Sequence, residues 1–235
     1  MHLLRRYLMN RIKVEVLEGN LNGMPKFLAR LTQRGHLIKG MDDVLALYDD
    51  AIEGAPSKYL LSLPHTTIQR MNYLTVAITG LSTKAVSQLR THAKRLTFVS
   101  TSTQYSDFSG CNDNYVIPDG LTDEQTLYMR DTYDGIQHMY ERLIQSGVDK
   151  DKASYILPQG LRKTLIISGS LDDWSYVMRT RLCHRNTEEV QNIMRLILKE
   201  IESNWGEEYT VNMLPPCVNG KCLEGKFSCG KRFER

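Results

Sequence analysis

At 235 residues the chain is long enough for one sizeable hydrophobic core or at most two small ones. A composition of 41% hydrophobic and 24% charged residues excludes a disordered chain, and a formal net charge of +3 is too small to hold a nucleic-acid polymer through bulk electrostatics. No apolar run approaches the ~20 residues that span a bilayer, so the chain reads as soluble and cytoplasmic, with no membrane partner.

The N-terminal MHLLRRYLMNR mixes arginine with apolar residues, and no apolar stretch of signal-peptide length follows it. RIKVEVL (11–17) alternates polar and apolar positions, as a half-buried strand does. MPKFLARLTQRG places Met24, Phe27, Leu28 and Leu31 at helical spacing and stops at Gly35. MDDVLALYDDAIEG repeats the design, with Asp42 and Asp43 suiting a helix N-terminus and Gly54 its end. The Pro-bounded APSKYLLSLPHTT then interrupts the helical run, and the β-branched and aromatic NYLTVAITGLS predicts a central strand. Ser82 is placed to cap a helix running to about Arg95, with Ala85, Val86 and Leu89 facing inward.

The strongest helical signal begins at Thr122, which is followed by Asp123 and Glu124, continues through apolar positions at three- and four-residue spacing, and ends at Gly147. RKTLIISG predicts another strand, and SLDDWSYVMRTRL and TEEVQNIMRLILKEIESNW two more helices. There is no internal repeat and no low-complexity linker. The expectation is a single α+β domain over residues 1–235, a small sheet flanked by long helices, ending in a Cys/Gly-rich tail over 212–235. No strand is followed by a Gly-rich dinucleotide fingerprint, and no P-loop is present.

Residues 88–109, QLRTHAKRLTFVSTSTQYSDFS, concentrate cations and hydroxyls in one run. On a helix reaching Arg95, Gln88, Thr91, His92 and Arg95 would share a side, with Ser100 to Thr103 just beyond. Cations bring charge to a phosphate and hydroxyls fix its orientation. The same composition also suits a basic helix end and a polar turn. Asp172 and Asp173 are adjacent, so they cap a helix rather than face one another as an acid–base pair. Cys217, Cys222 and Cys229 share the tail PPCVNGKCLEGKFSCGK. They read as reduced thiols, since the odd cysteine count disfavours a disulfide framework. A zinc site would need a fourth ligand from Cys183 or His184, and the spacing is not a standard one.

The 88–109 stretch resembles the signature of the flavin-dependent thymidylate synthases, Gln-x-x-Arg-His-Arg followed after seven or eight residues by Ser-x-Arg-Tyr. Gln88, His92, Ser102 and Tyr105 fall in register, whereas the triplet reads Thr91-His92-Ala93 and Gln104 replaces Arg. ARLT resembles the Ala-Arg-Val-Ser/Cys segment and places Thr32 at a hydroxyl position that contacts flavin phosphate. PHTTIQRMNYLTVAITGLS resembles GHESxxEHxxFTFAIEGIS, aligning His65 and Thr67 with flavin positions and putting Arg70 where Glu is usual. ASYILPQGLRKTLIISGSLDDWSYVMRTRL follows ARxxLPxxxxTxxxxxxNxRxxxHFLxLR, aligning Arg181 with the Arg that holds and polarises the pyrimidine. Ser154, Ser170 and Asp172 depart from its Arg, Asn and Arg.

The resemblance covers roughly residues 27–230 and implies methylation of dUMP to dTMP. FAD would be the cofactor, and NADPH and methylenetetrahydrofolate the co-substrates. It also implies a homotetramer with shared active sites. Thr32, His65, Thr67 and His92 would hold flavin, while Gln88, Ser102, Gln104 and Arg181 would hold nucleotide, Arg181 acting catalytically. Losing arginine at 104 and 154 removes charge-assisted contacts to phosphate, which Arg90, Lys94, Arg95 or Arg162 could replace. Two alternatives follow: a related methyl- or hydroxymethyltransferase acting on another pyrimidine nucleotide, and a non-catalytic nucleotide-binding relative.

Overall fold

A computed structural model describes residues 12–19, 21, 23–52, 60, 66–111, 114–220 and 222–235. In chain order the elements are β1 (Lys13–Gly19), α1 (Gly23–Arg34), α2 (Met41–Ile52), α3 (Thr66–Arg70), β2 (Tyr73–Ser82), α4 (Thr83–Arg90), β3 (Thr97–Ser100), α5 (Asp123–Gln145), α6 (Lys150–Ala153), β4 (Arg162–Ser170), α7 (Leu171–Arg181) and α8 (Glu188–Trp205). Short 3-10 turns follow α8 to the C-terminus. The four strands form one sheet in the order β1-β2-β4-β3, giving the α+β class expected from the sequence.

β4 runs antiparallel to both neighbours. Leu171 N–H donates to Asn72 O at one end of the β2–β4 pair, and Thr83 N–H donates to Leu161 O at the other. The pairing slips by one residue between those ends, so β2 carries one extra residue. Gly80 supplies it, at φ 80°, a left-handed conformation that glycine adopts without steric cost. The slip is visible in burial: Leu74, Val76 and Ile78 point inward, and the next inward residue is Leu81. On β4 the inward set is Lys163, Leu165, Ile167 and Gly169.

The residues cluster into two compact units. One comprises the described parts of 1–13, 78–91 and 98–166, and the other 14–77, 92–97 and 167–235. In the first, Phe108, Tyr115, Tyr140, Ala153 and Leu161 form a buried cluster against the inner face of α5. α5 starts with a reciprocal capping box, Thr122 accepting from Gln125 N–H and Gln125 accepting from Thr122 N–H. Polar side chains on α5 then pin the loop after β3. Gln137 Nε2 donates to Phe108 O at 2.8 Å, Tyr140 Oη accepts from Phe108 N–H at 3.3 Å, and Glu141 accepts from Gly110 N–H at 2.9 Å. Tyr115 Oη closes the network on Gln137 Oε1 at 2.8 Å.

In the second unit the apolar stripe of α8 (Val190, Ile193, Met194, Ile197, Leu198, Ile201) is buried, and α7 packs on it with Trp174, Val177 and Met178. Trp174 Nε1 donates to Leu74 O at 3.0 Å, satisfying a donor that would otherwise be buried without a partner. Ser170 caps α7, accepting from Asp173 N–H. The tail folds back on this unit. Phe233 is buried under the Arg195 guanidinium, and Arg235 binds Glu202 and Glu207.

Two expectations are corrected. The helix capped by Ser82 ends at Arg90 rather than near Arg95. His92 O accepts from both Arg95 N–H and Leu96 N–H, and this tight turn drives Leu96 into the interior, where a Cβ on Gly169 would lie 2.4 Å from Leu96 Cδ2. Gln88 and His92 therefore do not share a helix face. A short edge strand, β3, which the sequence reading did not anticipate, precedes the hydroxyl-rich turn.

Candidate functional site

The turn at 92–96 positions the chemistry in the second unit. His92 Nε2 accepts from Arg181 Nε–H at 2.8 Å, and Arg181 Nη1 donates to Asn186 Oδ1 at 2.7 Å. Asn186 is held in turn, its amide donating to Thr180 O and Cys183 O. Burial, then the Arg181 and Arg95 cations, push the His92 pKa below the ordinary imidazole value of 6.5. The ring is therefore neutral at pH 7, and with Nε2 accepting, its proton lies on Nδ1. Burial also lowers the Arg181 pKa, though an arginine guanidinium keeps its proton at physiological pH.

Around this pair, Tyr176 packs edge-on to His92 with ring centroids 6.3 Å apart, and the Arg95 guanidinium lies 3.9 Å over the Tyr176 ring. Arg95 also pairs with Asp173 at 3.2 Å. It thus braces the turn that carries His92 against α7. The acidic pair lies in the first turn of α7, at the helix start expected of it, but the cap itself is Ser170. Asp173 receives the Ser170 hydroxyl at 2.6 Å, and Asp172 takes Arg70 Nε at 3.2 Å. Arg70, where the resembled pattern has Glu, and Asp172, where it has Arg, meet in this chain as one ion pair.

Thr32 on α1 and Thr67 on α3 are exposed, and α1 packs against α3. Thr32 Oγ1 donates to Ala29 O at 2.8 Å, which leaves its oxygen as an acceptor. His65 lies outside the described residues.

In the first unit, Ser102 and Gln104 share one turn. Ser102 Oγ accepts from Gln104 N–H at 3.1 Å and Tyr105 N–H at 3.3 Å, and Ser102 O accepts from Ser106 N–H. The Gln104 side chain is exposed and Gln88, on α4, is half-buried. Ser154, at the second missing arginine, donates its hydroxyl to Asp151 O at 2.7 Å and so finishes the short helix α6. Arg162 Nε is occupied by Tyr115 O at 3.0 Å.

Three residues that sequence reasoning passed over stand out. Asn186 and Tyr176 frame the Arg181–His92 pair; their signal was only proximity to Arg181 along the chain. Lys163 is 6% exposed, on the inward face of β4. Its Nζ donates to Thr101 O at 3.1 Å and lies 5.0 Å from the Phe108 ring centroid. Burial, then the Arg90 charge, bring its pKa down to about 8. The signal was a lysine in the inward register of an otherwise apolar strand.

All five cysteines are free thiols, and no group of three or more potential ligands among the described residues could hold a metal ion. No helix among the described residues is long and apolar enough to cross a membrane.

Residues 26–205 match the family model described as thymidylate synthase complementing protein. A flavin-dependent thymidylate synthase of Thermococcus onnurineus is 28% identical over 190 residues, covering 74% of this chain and 75% of the relative. One from Geobacter sulfurreducens is 24% identical over 179 residues, with the same coverage of each chain. Among solved structures, the UMP/dUMP methylase PolB from Streptomyces cacaoi, bound with 5-Br dUMP, superposes with a TM-score of 0.63 at 16% identity. It covers 87% of this chain and 97% of its own, and at that identity the likeness concerns the fold. With the family model spanning residues 26–205, the chain belongs to the flavin-dependent thymidylate synthase family, as a divergent member.

Proposed function

We propose that this protein methylates dUMP to dTMP, using FAD, with methylenetetrahydrofolate as carbon donor and NADPH as reductant. Family membership supports the reaction class. The observation that carries the reading is the Arg181–His92 pair: a guanidinium on the family's pyrimidine-holding position, fixed by the one histidine that remains of the family triplet. The residues present suit a flavin. His92 offers an Nδ1–H donor from a neutral ring, and Thr32 and Thr67 expose hydroxyls on two packed helices. Thr32, His65, Thr67 and His92 would hold the flavin, which when bound supplies the hydride-transfer chemistry.

The protein's own part is binding and electrostatics. Arg181 grips and polarises the pyrimidine ring, favouring attack at C5, and His92 and Asn186 hold the guanidinium in its orientation. Gln88, Ser102 and Gln104 bind the nucleotide. On this reading the enzyme is a cytoplasmic homotetramer with shared active sites.

A second reading keeps the flavin and folate but changes the pyrimidine nucleotide. The replacement of both phosphate arginines, Gln104 exposed on its turn and Ser154 spent on a helix end, favours it. The experiment follows reduced flavin bound to the protein and its oxidation on adding dUMP. Arg181→Ala should abolish dUMP-dependent oxidation while flavin stays bound. Unchanged oxidation in that variant would refute the role of Arg181, and a wild-type response to another pyrimidine nucleotide but not to dUMP would establish the second reading.

A further inference from the structure

Lys163 is a buried ammonium with no carboxylate within ion-pair distance among the described residues. Of its three N–H donors one goes to Thr101 O, and the Phe108 face offers a weaker cation–π contact. A carbonyl and a ring do not neutralise a full charge taken out of water, and folds rarely keep such a charge without an opposite one. The charge felt at Lys163 has the same sign: Arg90, at the end of α4, adds to the effect of burial in lowering its pKa.

Thr101 is fixed to β4 from both sides, its N–H donating to Thr164 O at 3.1 Å and its Oγ1 accepting from Thr164 N–H at 3.2 Å. The carbonyl that Lys163 holds therefore belongs to a rigid residue, and Ser102 follows it directly. Gln88 stands two residues before Arg90 on the same helix.

The sequence gains this cation where the family pattern has none. Counting through LPxxxxT from Leu157 and Pro158, Lys163 occupies the Thr, in a chain that has lost arginine at 104 and 154.

We propose that Lys163 and Arg90 form the cationic side of a phosphate-monoester subsite at the Ser102 turn, replacing the charge of the two missing arginines. This rests on the nucleotide-binding reading above. Arg90, being exposed, makes the direct contact. Lys163 is a positioning residue that acts through its field and through the Thr101 peptide it holds.

Calorimetric titration of the full chain with dUMP and with deoxyuridine tests it. Lys163→Met should weaken dUMP at least tenfold and leave deoxyuridine within twofold of wild type. A dUMP affinity within twofold of wild type overturns the proposal, and so does an equal loss for deoxyuridine, which would mark a merely structural lysine. Lys163→Gln serves the same comparison should the Met variant fail to fold. If wild-type protein binds no dUMP, the proposed function falls, and inorganic phosphate tests the subsite alone. Phosphate raising the wild-type melting temperature above a chloride control of equal ionic strength, but not that of the variant, supports the subsite. An equal response in both overturns it.

Discussion

Replacing Lys163 by methionine should make the unliganded protein more stable at neutral pH, which is the opposite of what losing a buried hydrogen bond would do. The Lys163 pKa falls from 10.5 to about 8 in the fold. The charged form is therefore disfavoured on folding by up to ~3 kcal/mol at 1.36 kcal/mol per pKa unit. Below pH 8 both native and unfolded chains carry this proton and the penalty is complete. Between pH 8 and 10.5 the native state releases the proton while the unfolded state keeps it, so native stability rises with pH. By pH 9.5 the relief amounts to about 2 kcal/mol. Urea unfolding of wild type and Lys163→Met at pH 7 and pH 9.5 reads this directly, and subtracting the two proteins cancels every other titrating group. The expected pattern is a variant more stable at pH 7, by as much as ~3 kcal/mol, whose advantage shrinks by about 2 kcal/mol at pH 9.5. A variant destabilised at pH 7, or a difference independent of pH, would refute the claim that an uncompensated charge is held there.

Other consequences follow from the second unit. Gly169→Ala puts a Cβ against Leu96 at the foot of the turn carrying His92. It should cost about 1–3 kcal/mol by overpacking and weaken flavin binding, as thermal unfolding and a flavin titration would show; unchanged flavin affinity counts against the turn's role. Arg70→Glu, facing Asp172, should lose up to ~1 kcal/mol, and adding Asp172→Arg should recover it. Additive effects in that double-mutant cycle would mean the reversed pair is not coupled. Acidification should loosen the Arg181 site. Because the His92 pKa lies below 6.5, the ring stays an acceptor at neutral pH, and once protonated it can only repel the guanidinium. Flavin oxidation on adding nucleotide should therefore fall on the acid side and hold steady from pH 7 to 8; an acid-insensitive rate would contradict the pairing.

Helix starts were the most legible feature of the sequence, because capping chemistry is local. Ser82 and Thr122 cap the helices expected of them, and Ser170 caps α7 where Asp172 and Asp173 were expected to. β2 and β4 were also readable, from local composition: β2 is rich in β-branched residues, and β4 is a short apolar run. What escaped depends on partners distant in sequence. α4 stops at Arg90 because Leu96 is taken into the core against Gly169, 73 residues away. β3 is a four-residue edge strand of Thr, Phe, Val and Ser, too short to show a period. The Arg181–His92 contact spans 89 residues and was not expected; the family pattern assigned the two residues to nucleotide and flavin without pairing them. Lys163 was passed over because a lysine in a strand reads as solvent-facing until the inward register is known.

Product formation is the most direct measurement of the proposed reaction. Purified protein supplied with FAD, NADPH, methylenetetrahydrofolate and dUMP should yield dTMP, identified by chromatography and mass, and Arg181→Ala should yield none. Protein that binds flavin and dUMP yet forms no dTMP, or forms a different pyrimidine product, would contradict it.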